Sequence, residues 1–119
     1  MNPAEHLRHI RSIQDRARQL SDQVGESLQA GTPPERLVPL LKTQVETLSQ
    51  LQNSLARLAV ESTPEFRAAH REHLKQLKET FQNLADASTA HHQQATRKGI
   101  RLTGIGGKPY VPARPKKAP

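Results

Sequence analysis

A short phrase recurs three times in this chain, and it constrains the fold more than any other feature: Asn2-Pro3-Ala4-Glu5, Thr32-Pro33-Pro34-Glu35 and Ser62-Thr63-Pro64-Glu65. Each supplies a side chain able to cap a helix (Asn2, Thr32, Ser62), a proline whose fixed φ suits a first helical turn, and a glutamate three residues after the cap. Behind each phrase, apolar residues return every three or four positions, the period of one helix face. The first run is Leu7, Ile10, Ile13, Ala17, Leu20, Val24 and Leu28. The second is Leu37, Leu41, Val45, Leu48, Leu51, Leu55 and Leu58, close to a seven-residue repeat, and the third is Phe66, Leu74, Leu77, Phe81 and Leu84. Three starts predict three helices, over residues 3–30, 33–60 and 64–98, with Gly31 and Gly99 as stops.

The predicted fold is therefore all-α: an antiparallel three-helix hairpin bundle, coiled-coil-like, over residues 1–98. Linkers of a few residues make sequential helices antiparallel neighbours and leave the first and third parallel. Pro39 lacks an N–H and crowds the carbonyl four residues back, so the second helix is expected to kink or to start late. The third, if continuous, outreaches the others by roughly 10 Å at 1.5 Å per residue. Beyond Leu84 it offers little but alanines to pack, so its far end is expected to fray or to lean on another molecule.

With aromatic residues at 3% and hydrophobic residues at 34% of 119 residues, the core is expected to be thin and the molecule elongated. A mean hydropathy of -0.75 fits helices that show most of their circumference to water. The chain has no cysteine, which excludes disulfides and thiolate metal sites. No stretch approaches the ~18 apolar residues of a membrane span, and the amino terminus does not read as a leader, so a cytoplasmic, unprocessed protein is expected.

The net charge of +7 is unevenly placed. All 11 acidic residues lie between Glu5 and Asp86, where as many basic residues balance them. The excess comes from Arg97, Lys98, Arg101, Lys108, Arg114, Lys116 and Lys117, which makes the carboxyl end the anion-binding candidate. Residues 99–119 are rich in Gly and Pro and are expected to form a disordered basic tail. Yet Ile100, Leu102, Ile105, Tyr110 and Val111 are apolar residues that a plain linker does not need. Three readings stand for this tail: a solubilising terminus, a segment that docks on a protein as an added strand, and a basic arm for nucleic acid.

Other constellations point to little chemistry. Gly104-Ile105-Gly106-Gly107-Lys108 is superficially like a phosphate loop, but prolines follow it instead of a helix. His6 and His9 share a spacing with His70 and His73, and parallel helices would bring both pairs to one end of the bundle. The reading preferred over a zinc site is that of partly exposed flanking residues. His91 and His92 are adjacent and face different ways. No nucleophile sits beside a base and no carboxylate occupies an apolar position, so neither enzyme activity nor a cofactor or metal is expected.

In its size, antiparallel helices, scarcity of aromatics, Gln-rich faces and carboxyl-terminal tail, residues 3–98 with their Leu41, Leu48, Leu55 repeat resemble the flagellar type III export chaperones of the FlgN and FliT kind. The resemblance implies an adaptor that holds an amphipathic helix of a secreted subunit, with the second helix and the overhanging end of the third as working surfaces. Chains of that family are typically acidic to neutral, and this one departs from them in its basic Arg114-Pro115-Lys116-Lys117 ending. The apolar residues are few for ordering three helices, so a second copy or a bound partner helix is expected to complete the core. Protein-binding residues are then Leu48, Leu55, Phe81 and Leu84 on the helices and Ile105, Tyr110 and Val111 in the tail. The alternative is a nucleic-acid-binding or nucleoid-associated protein acting through the basic tail.

Overall fold

The computed structural model describes residues 2–102. It is an all-α bundle built from α1 (Pro3–Gln29), α2 (Pro34–Glu61), a short α3 (Pro64–Ala69) and α4 (Arg71–Arg97). The expectation of disorder after residue 102 lies outside the described residues, as do Ile105, Lys108, Tyr110, Val111, Arg114, Lys116 and Lys117. The three long helices pack pairwise. Side chains that meet across them set the directions: His6 of α1 reaches Glu61 at the end of α2, Arg11 reaches His73 at the start of α4, and Gln44 early in α2 reaches His91 late in α4. The path is up, down, up, with α1 and α4 parallel.

The caps show how local sequence sets each boundary. Asn2 Oδ1 accepts the N–H of Glu5 at 2.8 Å, with Pro3 opening α1. At the third start the capping residue is Thr63 rather than Ser62: its side chain accepts the N–H of Phe66 at 3.0 Å. Pro64 at the first helical position fixes the cap one residue before it. Ser62 instead terminates α2, and its hydroxyl donates to the carbonyl of Leu58. At the second start Pro33 occupies the cap position and no side chain caps the helix, so Thr32 does not play that part.

Gly31 and Gly99 have φ of +70° and +81°, a region that costs residues with a Cβ. Each closes its helix in the same way. Gly31 N–H reaches Leu28 O and Thr32 N–H reaches Ser27 O, while Gly99 N–H reaches Thr96 O and Ile100 N–H reaches Ala95 O. This pair of bonds satisfies the last carbonyls and brings the residue after the glycine back onto the helix.

Three expectations change. The second helix does not start late: α2 is helical from Pro34 straight through Pro39. The N–H lost at Pro39 would have served the carbonyl of Glu35, in the exposed first turn, where water can replace it. The third helix is interrupted at His70, whose φ and ψ of -118° and 22° leave the helical region while its ring packs on Phe66 at 4.3 Å between centroids. With that break, α4 has 27 residues, α1 27 and α2 28, and the overhang disappears. Its far end is packed, because Ala85, Ser88 and Ala95 are small enough for α4 to approach its neighbours closely. Lys98 Nζ donates to the carbonyl of Leu28 and ties the end of α4 to the end of α1.

The core has two apolar clusters. One gathers Leu7, Ile10, Ile13, Ala17, Leu48, Leu51, Leu58, Leu77 and Leu84. The other gathers Val24, Leu28, Leu37, Leu41 and Ala95, with Ile100 and Leu102 packed against it, so the chain directly after Gly99 belongs to the bundle. The elongated shape is present, with extents of 50 × 34 × 22 Å. Among the described residues Val60 is the one exposed large apolar side chain.

Candidate functional site

Between the two apolar clusters lies a polar layer. On α2 the seam runs Leu37, Leu41, Gln44, Leu48, Leu51, so an amide occupies a position where the four-then-three spacing asks for an apolar residue. Val45, which the sequence reading placed on the seam, is half-buried beside it. Gln44 Nε2 donates to His91 Nδ1 at 3.2 Å. On α4, Ser88 and His92 are 0% and 1% exposed, and His92 Nδ1 donates to the carbonyl of Ser88 at 2.8 Å. Gln44 Oε1, Ser88 Oγ and His92 Nε2 are buried and have no hydrogen-bond partner among the described residues. Burial disfavours the charged form of both rings and lowers their pKa below 6.5. For His91 the neighbouring His92 adds to this, and for His92 the bond to Ser88 partly opposes it.

The other histidines are held singly. His6 is buried rather than flanking, and its Nδ1 donates to Glu61 Oε2 at 3.1 Å. Arg11 donates to His73 Nε2 at 3.1 Å, and the pKa of His73 is lowered by desolvation first, then by the charges of Arg11 and His70. Among the described residues no three His, Cys, Asp or Glu side chains are grouped closely enough to hold a metal ion. No helix among them is long and apolar enough to cross a membrane.

Of the partner-binding residues expected from sequence, Leu48 and Leu84 are core, 0% and 9% exposed, because α1 and α4 already cover the seam that an incoming helix was expected to fill. Leu55 and Phe81 are half-buried. Like Phe66 and Leu74, they are packed against the first cluster. Arg97, Lys98 and Arg101 are exposed around the end of α4, with Lys98 engaged at Leu28.

Leu74 also lines a groove of about 460 Å³ along α3 and the start of α4, with Pro64, Arg67, Ala68, Arg71, Lys75 and Lys78. Its rim is four cations: Arg71, Lys75 and Lys78, at steps of four and three residues, make one stripe on α4, and Arg67 stands on α3 across the break at His70. Arg67 is fixed at one end by a hydrogen bond from its guanidinium to Ser62 O at 3.1 Å. This stripe escaped the sequence reading because a charge count finds the body neutral, whereas the spacing of the cations alone would have shown it. A second groove, between α1 and α2, is polar and smaller, about 410 Å³, with Arg16 and Arg57 on its walls.

No known protein family, curated protein or solved structure matches this chain.

Proposed function

We propose that the chain is a non-enzymatic protein-binding module, a cytoplasmic chaperone or adaptor that holds an amphipathic helix of its partner, as the flagellar export chaperones it resembles would do. The observation that carries this reading is an open groove lined by Leu74, one of the half-buried apolar residues packed against the first cluster. An amphipathic segment laid there would cover Leu74 without unpacking the bundle, and such segments are recognised by apolar anchors three and four residues apart. Leu48 and Leu84 hold the surface in shape from beneath.

The test compares the full chain with a chain ending at Leu102, which keeps the packed Ile100 and Leu102. Both are offered helical peptides from a displayed random library and, separately, duplex oligonucleotides, at moderate and high salt. Peptide binding that survives the truncation supports the reading. Binding restricted to oligonucleotides, lost with the tail and abolished by salt, overturns it in favour of a nucleic-acid protein.

A further inference from the structure

We propose that the groove along α3 and the start of α4 is built for an acidic amphipathic segment of a partner protein, with apolar side chains on Leu74 and carboxylates on Arg67, Arg71, Lys75 and Lys78. The inference rests on the protein-binding reading and specifies the chemistry of the partner. Arg71, Lys75 and Lys78 are exposed, and none lies within ion-pair distance of a carboxylate among the described residues. They rise about 10 Å along α4 at 1.5 Å per residue, two turns of helix, and Arg67 extends the row onto α3.

Among the described residues Glu72 and Glu79 make no ion pair with this row. At 3.6 residues per turn they fall about a quarter-turn from Arg71 and about 40–60° from Lys75, so the acidic side of α4 adjoins the basic one at Lys75. That arrangement fixes the direction in which a partner's charges must face, the role rim charges commonly play in an interface. A phosphate backbone would satisfy the cations but would leave Leu74, Ala68 and Pro64 in contact with nothing apolar. A segment with carboxylates on one flank and leucine-like side chains on the other satisfies both halves of the groove.

The experiment selects helical peptides from a displayed random library against the full chain, with Arg71→Gln/Lys75→Gln/Lys78→Gln as counter-selection. Selected peptides are then measured by fluorescence anisotropy against both proteins. All three side chains are exposed, so the variant is expected to keep its circular dichroism and melting temperature. The expected result is enrichment of Asp and Glu flanking an apolar stripe. Replacing those carboxylates by amides, or using the triple variant, is expected to weaken binding about tenfold or more, as loss of charge-assisted contacts does. Peptides that bind without acidic enrichment, and equally well to the triple variant, overturn this proposal while leaving the protein-binding reading intact. Absence of any selected peptide overturns both. Binding of duplex oligonucleotide that the triple variant loses, with no peptide selected, assigns the groove to phosphate and also overturns both.

Discussion

Gln44 of α2 and His91 of α4 are joined by a hydrogen bond of 3.2 Å in which the amide donates to Nδ1, so the ring accepts and is neutral at that nitrogen. Next to it, His92 uses Nδ1–H on Ser88 O and keeps Nε2 buried with no partner among the described residues. Protonating either ring puts a cation among groups that offer it little: Gln44 from α2, which already donates to His91, and Gly25 from α1, where an added Cβ would stand 3.5 Å from His91 Nε2. Both pKa values are lowered in the folded state, by burial first.

The sign of the pH dependence follows. Below about pH 6.5 the unfolded chain takes up protons on these rings before the folded one does, so stability is greatest above that pH and declines as pH falls toward the folded-state values. His73, lowered by desolvation and by Arg11 and His70, acts in the same direction. Urea midpoints measured from pH 8 down to pH 5 are expected to fall, and His92→Leu is expected to flatten the curve. A midpoint that holds constant or rises on acidification would sink this account.

The polar layer and the apolar seam beside it should respond oppositely to loss of side-chain atoms. Ser88→Ala removes a buried hydroxyl without a partner, leaves almost no cavity and places a better helix former in α4, so a gain of about 1 kcal/mol is expected. Leu48→Ala, at a position of 0% exposure, empties part of the first cluster and is expected to cost about 2–5 kcal/mol. Leu48→Asp is expected to unfold the chain, since it buries a carboxylate with nothing to pair it. Chemical denaturation with an unchanged m-value is the measurement, and Ser88→Ala coming out as destabilising as Leu48→Ala would show that the layer is satisfied in some other way.

What the sequence disclosed, and what it concealed, divides along a physical line. Helix starts, stops and apolar stripes are local, and Asn2, Gly31, Gly99 and the run from Leu7 to Leu28 read correctly because their partners lie within a few residues. The burial of Ser88, His92 and Ala95 could not be read the same way. Small and polar side chains carry no hydrophobic signal, and Ala95 is buried because Val24, Leu28, Leu37 and Leu41 on the facing helices gather around it. The break at His70 removed the overhang, and with it the free end that was to have been a working surface. Gln44 was legible in principle as the polar member of an otherwise regular seam, but the neighbouring Val45 drew the stripe one residue aside. Leu55 and Phe81 followed from periodicity, whereas the groove along α3 and α4 needed the positions of four cations rather than their number.

The caps give the sharpest check on this register. Thr63→Ala removes the acceptor for Phe66 N–H and is expected to cost about 1 kcal/mol, as is Asn2→Ala at the start of α1. Thr32→Ala is expected to cost almost nothing, because Pro33 rather than Thr32 stands at the cap position of α2. At the other ends, Gly31→Ala and Gly99→Ala meet no atom within 4 Å, so their cost is the backbone conformation alone, about 1–2 kcal/mol each. Gly99→Ala should also loosen Ile100 and Leu102 from the second cluster, since the turn at Gly99 carries them back onto it. Hydrogen exchange would then show faster exchange at Ile100 N–H in that variant and not in Gly31→Ala. Equal costs for Thr32→Ala and Thr63→Ala would mean that the helix starts are placed one residue wrong.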